Sequence, residues 1–254
     1  MKKTLLSIAG FDPSGGAGVL ADIRVFHDLG FHGAAALTGL TVQTTTEVLR
    51  LEPVRTATLV AQVEALDADL EIAGIKIGMA ATEANLRAIG RLCAARPGIP
   101  RVIDPVFRAS SGRPLLDRKG RTAFIAALRG RATVVTPNLD EACVLAGSKI
   151  GSVEGMVEAA QCIAGALGFP CLVKGGHLEG EAVNVLVAGK RTYLFGRPRL
   201  KREMHGTGCV FSAALTAFLA AGKTLPAAAA LATDFTRDSI AGSIRVGRGR
   251  RVRA

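Results

Sequence analysis

His205-Gly206-Thr207-Gly208-Cys209 stands directly before an apolar run with helical spacing, and its residue types suit the transfer of an anionic group. Gly206 and Gly208 let the backbone approach a ligand closely. The first N–H groups of the following helix have no internal partner and lie at the positive end of its dipole. With Thr207 between them, the glycines form an anion hole for a phosphoryl group in transfer. A thiol at such a terminus is expected to have a lowered pKa, so Cys209 could take a proton from a substrate hydroxyl. The same residues also suit a plain turn before a core helix, and the motif alone does not choose between the two.

Other segments carry similar chemistry. Asp12-Pro13-Ser14-Gly15-Gly16-Ala17-Gly18 lies between a strand and a helix, where its glycines suit close contact with a small ligand or a tight turn. It is neither a Walker A loop nor a GxGxxG fingerprint. Thr136-Pro137-Asn138-Leu139-Asp140-Glu141 puts an amide and a carboxylate three residues apart on one helical face. Asn138 and Glu141 could hold a hydrated Mg²⁺, or they could simply cap the helix. Asp104-Pro105 ends one strand and Lys174-Gly175-Gly176-His177 another; Lys174 could neutralise phosphate charge. His27 and His32 lack metal-ligand partners at useful spacing and read as structural or exposed.

The elements that must position these residues alternate along the chain. Strands are expected at Leu5–Ala9, Ala34–Leu40, Ile72–Ile77, Val102–Ile103, Thr133–Val135 and Cys171–Val173. Helices are expected at 17–29, 56–69, 82–94, 117–128, 138–145, 152–167, 209–221 and 225–241. Val183–Val187 and Thr192–Phe195 flank Ala188-Gly189-Lys190-Arg191 and suit a hairpin. Such alternation implies βαβ units and a mainly parallel sheet covered on both faces, a three-layer α/β/α sandwich. Ligands then bind beyond the carboxyl ends of the strands, where the polar and Gly-rich segments fall.

Composition narrows the function classes. The chain has 254 residues, with 49% hydrophobic and 21% charged, a globular and not a disordered profile. The longest uncharged stretch holds only about 14 apolar residues, short of the roughly 20 that span a bilayer. Leu5–Ala9 is too short for a signal-peptide core, and reads as a first strand. The five cysteines are odd in number and include no CxxC, so a reduced, cytoplasmic setting is expected. The formal net charge is +11, and five arginines fall in the last ten residues. Residues 1–244 are therefore expected as one α/β domain and 245–254 as a solvated basic tail, with a phosphate-facing role as the alternative.

Taken together, the stretches IAGFDPSGGAGVLADI, ALTGLTVQTTTEV, IKIGM, VIDPVFRASSGRPLL, VTPNLDEA, LVKGGH and HGTGCVFSAAL resemble the ribokinase-like superfamily. More narrowly, the chain resembles the hydroxymethylpyrimidine/phosphomethylpyrimidine kinases of thiamine biosynthesis, from Ser7 to about Arg248. The resemblance implies an ATP- and Mg²⁺-dependent kinase acting on 4-amino-5-hydroxymethyl-2-methylpyrimidine and then on its monophosphate. It implies that Gly10, Asp22, Gln43, Met79 and Val106 surround the pyrimidine. It implies Asp104, Asn138 and Glu141 at Mg²⁺, Lys174, Asn138 and Thr207 at ATP, and Gly206, Thr207 and Gly208 as the anion hole. Cys209 occupies the position where many related sugar kinases carry an aspartate base, which favours the pyrimidine branch. A homodimer is implied, and no membrane or nucleic-acid partner.

The sequence departs from the family pattern after Gln43, where Thr44-Thr45-Thr46-Glu47 replaces the usual Asn-Thr-x-Gly. Phe107 stands where a smaller residue or Met is common, and no fused thiamine-phosphate synthase segment is expected. Two rival readings are a pyridoxal/pyridoxine kinase and, from another class, a nucleic-acid-binding or regulatory protein on a kinase scaffold. Gln43 argues against the first, because an amide matches an aminopyrimidine edge that pyridoxal lacks. The retained Lys174, Asn138, Glu141 and Cys209 argue against the second.

Overall fold

A computed structural model of the chain describes residues 2–176 and 182–254. The elements run β1 (Thr4–Phe11), α1 (Gly18–Asp28), β2 (His32–Gln43), β3 (Val48–Pro53), α2 (Thr56–Asp69), β4 (Ile72–Ile77), α3 (Glu83–Ala94), β5 (Arg101–Ile103) and α4 (Arg118–Leu128). They continue with β6 (Val134–Val135), α5 (Leu139–Ala146), α6 (Val153–Leu167), β7 (Cys171–Gly175), β8 (Ala182–Ala188), β9 (Arg191–Arg197), α7 (Thr207–Ala220) and α8 (Leu225–Ala241). The strands form one sheet in the order β3-β2-β1-β4-β5-β6-β7-β8-β9. The middle of the sheet is parallel, while β3 at one edge and β8 and β9 at the other pair antiparallel.

β1 is buried along nearly its whole length, as a parallel strand covered on both faces must be. Leu6 and Ile8 meet Leu59, Leu86, Phe124 and Ile163 from α2, α3, α4 and α6 on one face. Leu5 packs with Phe26, Phe211 and Ala228 from α1, α7 and α8 on the other. This is the three-layer α/β/α sandwich expected from the alternation. The expected helix cap is also present: Thr82 Oγ1 accepts the Asn85 N–H at 3.2 Å and starts α3.

The sheet gathers the chemistry at one edge. β1 pairs β2 on one side and β4 on the other, so the chain reverses direction across the sheet there. Ligand crevices open at such a switch point. The carboxyl ends of β1, β4, β5, β6 and β7 lead into Gly10, Met79, Asp104, Asn138 and Lys174 respectively. His177, the last residue of the segment that begins at Lys174, lies outside the described residues.

Two expectations need correction. β2 does not stop at Leu40 but runs to Gln43, because β3 pairs with its end from Gly39 to Gln43. β3 escapes sequence reading because Arg50 and Glu52 interrupt its apolar pattern and most of it is solvent-exposed. Residues 245–254 are only in part a solvated tail, since 245–248 and 250 are exposed while the end of the segment packs down. Ile244 and Val252 exchange two backbone hydrogen bonds of 2.9 Å, and Val252 is only 5% exposed. The Arg251 guanidinium donates to the Ser243 carbonyl from Nε at 2.9 Å and Nη2 at 2.6 Å. Arg253 pairs with Asp28 and stacks over Phe235 with its Cζ 5.1 Å from the ring centroid. Arg251 and Arg253 thus find carbonyl, carboxylate and aromatic partners, while Arg245 and Arg248 stay exposed to water.

Candidate active site

The start of α7 sits against the loop after β1. Gly206 adopts φ of +76°, and a Cβ there would stand 2.0 Å from the Gly16 carbonyl oxygen, so only glycine fits. Gly18, with φ of +61°, starts α1 and directs its N–H at the sulfur of Cys209. Two helix N-termini therefore converge on this thiol. Gly208 faces the charged cluster: a Cβ on it would lie 3.1 Å from Lys174 Nζ and 3.4 Å from Asp104 Oδ2. The predicted anion hole, lysine and carboxylate are thus one constellation.

Asp12 organises the loop that α7 contacts. Its Oδ1 accepts the N–H and Oγ of Ser14 at 2.8 and 2.7 Å, and its Oδ2 accepts the Ala17 N–H at 2.9 Å. His205 Nε2 lies 3.1 Å from the same Oδ2. Burial works to raise the Asp12 carboxyl, but the His205 and Ser14 contacts outweigh it and hold the group below the usual carboxylate range. Sequence reading gave neither residue a role. The signal was present, since a loop with three glycines needs a side chain to fix its shape.

Lys174 Nζ bonds Asp104 Oδ1 at 2.7 Å, with Asp104 almost fully buried. The Lys174 N–H also donates to the Pro137 carbonyl at 2.8 Å, which ties β7 to the start of α5. There the capping reading is realised in full. Asn138 Oδ1 accepts the Glu141 N–H and Glu141 Oε2 accepts the Asn138 N–H, each at 2.8 Å. Burial pushes the Glu141 carboxyl up to about 8, and Asp104 adds to the rise, while Lys174 and the backbone amides of Asn138 and Phe107 oppose it. A divalent cation suits this pair of crowded carboxylates, which otherwise has one lysine between them. Among the described residues no cluster of three or more His, Cys, Asp or Glu side chains could hold a metal. Asp104 and Glu141 match Mg²⁺, which needs few protein oxygens when phosphates and waters complete its shell. Asn138 is the weaker candidate, because its oxygen is committed to the helix cap.

Two expectations for the thiol and its surroundings fail. Cys209 is not lowered: burial pushes its thiol up to about 11, against the pull of the Lys76 ammonium and the Gly18 N–H, and the Asp22 and Asp104 carboxylates add to the rise. Asp22 does not line a pocket. It is wholly buried on the inner face of α1, where Oδ2 accepts from Lys76 Nζ at 2.9 Å and Ser7 Oγ at 2.6 Å. Lys76 is a further residue that sequence reading missed. It stands inside the apolar run Ile72–Ile77, and a charge on a central strand demands a buried partner. Burial opposes its charge, but Asp22 first, then Cys209 and Asp104, hold the ammonium well above the ordinary lysine range.

Of the remaining residues expected at the acceptor, Gly10, Met79 and Val106 come together, and Gln43 lies on a neighbouring cleft. Met79 lies over Gly10, so closely that a Cβ at Gly10 would stand 2.2 Å from Met79 Cε. Met79 packs with Leu115, and Val106, Val48 and Leu51 join this cluster. Gln43 ends β2 on the wall of a cleft of about 640 Å³, and its Oε1 accepts from Thr41 Oγ1 at 3.0 Å. His205 lines the far part of that cleft.

The geometry is an apolar cluster around Met79 and a glycine-rich start of α7, with a lysine and two carboxylates adjoining the latter. Known proteins of similar sequence and structure share this assignment to a kinase. A hydroxymethylpyrimidine/phosphomethylpyrimidine kinase of Aquifex aeolicus (strain VF5) is 38% identical over 246 residues, 96% of each chain. The crystal structure of phosphomethylpyrimidine kinase from Clostridium difficile 630 superposes with a TM-score of 0.82 at 32% identity, covering 94% of this chain and all of that one. The pyridoxal kinase from Staphylococcus aureus in complex with ADP gives a TM-score of 0.91 at 31% identity, covering 100% of this chain and 93% of that one. Residues 12–252, from the Asp12 loop to the buried Val252, match the family described as phosphomethylpyrimidine kinase, and to that family the chain belongs.

Proposed function

We infer that the protein is an ATP-dependent kinase of thiamine biosynthesis. It phosphorylates 4-amino-5-hydroxymethyl-2-methylpyrimidine, and then phosphorylates the monophosphate to the diphosphate. The observation that carries this reading is the meeting of Gly208, Lys174 and Asp104 at the start of α7, beside the pocket of Gly10, Met79 and Val106. Gln43 offers a donor and an acceptor to the aminopyrimidine edge, and Met79 packs on the ring. Lys174 contacts the ATP phosphates, and the N–H groups of the Gly206–Cys209 turn face the phosphoryl group in flight. Asp104 and Glu141 would hold Mg²⁺, which would neutralise phosphate charge. The ADP complex of the structurally similar kinase supports ATP as donor.

The acceptor oxygen attacks the γ-phosphorus, the bond to the ADP oxygen breaks, and the acceptor proton leaves late through Cys209 or water. A partly buried thiol raised to about 11 is mostly protonated near neutrality. Positioning and charge neutralisation therefore carry most of the catalysis. A homodimer is part of this reading, supported by the exposed Leu40, Val42 and Leu49 on the β2–β3 edge. Sedimentation reads that directly.

The test is ADP release with Mg-ATP and, separately, hydroxymethylpyrimidine, its monophosphate or pyridoxal. Turnover of the first two is expected. Turnover of pyridoxal alone would transfer the assignment to the pyridoxal kinase branch.

A further inference from the structure

His205 directly precedes Gly206, the N-cap of α7. Its Nε2 lies 3.1 Å from Asp12 Oδ2, a contact between opposite ends of the chain. Asp12 is held below the usual carboxylate range and can only accept, so the His205 Nε2 carries the proton and donates. The two side chains are 20% and 5% exposed, which shields the bond from water. The imidazole also covers Gly16, where a Cβ would collide with His205 Cδ2. From the other side, the Arg251 carbonyl accepts the His205 N–H at 2.7 Å. His205 is therefore held by both its ring and its main chain.

The loop it grips, residues 12–18, touches both halves of the site. At one end, a Cβ on Gly18 would collide with the carbonyl oxygen of Gly10, and Gly10 lies under Met79. At the other end, the Gly16 carbonyl oxygen occupies the space that a Cβ on Gly206 would need. Between these ends, Asp12 fixes the loop through the Ser14 and Ala17 N–H groups. The Gly10–Gly18 and Gly16–Gly206 contacts are backbone against backbone. They permit close approach but supply no interlocking side chain. The bond from His205 to Asp12 supplies one, and it ends on the carboxylate that shapes the loop.

We propose that His205, acting through Asp12, is a positioning residue that sets the start of α7 against the loop after β1 and so aligns the phosphoryl group with the acceptor oxygen. The alignment rests on the kinase reading, and it gives His205 no part in proton transfer. A misplacement of about 1 Å between reacting groups can cost about 10²-fold in rate.

The experiment compares His205→Leu, which keeps bulk over Gly16 but removes the donor, with His205→Gln, whose terminal amide can still reach Asp12 Oδ2. ADP release with Mg-ATP is measured on hydroxymethylpyrimidine and on its monophosphate, well below each variant's melting temperature. In His205→Leu, kcat should fall about 10- to 100-fold on both acceptors alike, with the acceptor KM within about threefold of the parent. His205→Gln should restore most of the loss. Alkylation of Cys209, followed by peptide mass spectrometry, should be faster in His205→Leu, because α7 is less tightly held against Gly18.

A kcat within about twofold of the parent in His205→Leu would overturn the proposal. So would a loss confined to KM or to the alcohol, or an equal loss in His205→Gln. If His205→Leu does not fold, His205→Asn takes its place, polar but too short to reach Oδ2, and is judged by the same limits. A parent that turns over neither acceptor removes the kinase reading, and alkylation then decides. A faster Cys209 in the variant keeps His205 as the residue that places α7, and an unchanged rate overturns that too.

Discussion

Lys76 Nζ lies 2.9 Å from Asp22 Oδ2, and neither side chain has any exposure to water. The pair lies beneath Cys209, with Asp22 one helical turn beyond the Gly18 N–H that faces the sulfur. Asp22 Oδ1 has no hydrogen-bond partner among the described residues, so the pair is not fully satisfied. A buried ion pair of this kind contributes little as a whole, yet breaking it leaves one charge stranded.

Lys76→Met should therefore destabilise the protein by about 3–5 kcal/mol in denaturant unfolding. The double variant Lys76→Met, Asp22→Leu should recover much of that loss. A double variant no more stable than the single one would show that the lysine acts through packing alone. Thiol alkylation gives a second readout, because removing the ammonium takes away a cation that favours the Cys209 thiolate and should slow the reaction.

Cys209→Ala should affect the two phosphorylation steps unequally. The alcohol must lose its proton, and losing a positioned base typically costs about 10²-fold or more. The monophosphate presents an oxygen already ionised near neutrality, with its second pKa about 6, and needs no base. Turnover of the alcohol should fall far more than turnover of the monophosphate, as measured by ADP release on each. Equal losses would assign Cys209 to positioning. The pH profile checks the same role: with the thiol up at about 11, alcohol turnover should climb between about pH 7 and 9. Cys209→Asp should flatten that climb, because an aspartate is ionised throughout.

Much of this was legible in the sequence for a physical reason. The alternation of apolar runs with helix-periodic segments follows from burying a parallel sheet on both faces, and it reveals the sandwich before any contact is known. Glycines that permit close approach mark Gly10, Gly206 and Gly208 as site positions. Long-range pairings were not legible. Lys76 finds Asp22 across two elements, Asp12 finds His205 across most of the chain, and Val252 finds its place only because Ile244 turns back beside it. The Cys209 pKa was misjudged for the same reason. A helix N-terminus is visible in a sequence, but the burial and the two carboxylates that outweigh it are not.

Gln43→Leu should raise KM for the aminopyrimidine with little change in kcat, because the proposed contact of the amide is with the ring and not the reacting oxygen. The side chain is held by Thr41 Oγ1 at 3.0 Å, so Thr41→Val should produce a smaller change in the same direction. Steady-state kinetics on both variants read this. An unaltered KM in Gln43→Leu would take Gln43 out of the pocket.

Glu141 gives the protein a pH dependence whose sign is fixed by its environment. Its carboxyl is raised from 4.5 to about 8 in the folded state, chiefly by burial. Below about pH 4.5 the folded and unfolded states both carry the proton, and the group does not bias folding. As the pH rises the unfolded chain ionises first, so native stability falls until the folded group also ionises near pH 8. Glu141→Gln removes this loss and keeps the helix cap, since glutamine can also reach back to the N-cap N–H. In unfolding experiments without nucleotide or metal, the variant should gain on the parent by roughly 2–4 kcal/mol between pH 5 and pH 8. The same variant should turn over poorly with Mg-ATP, because one of the two carboxylates suited to the cation is gone. A stability difference that does not grow with pH would mean that Lys174 and the backbone amides already hold Glu141 ionised.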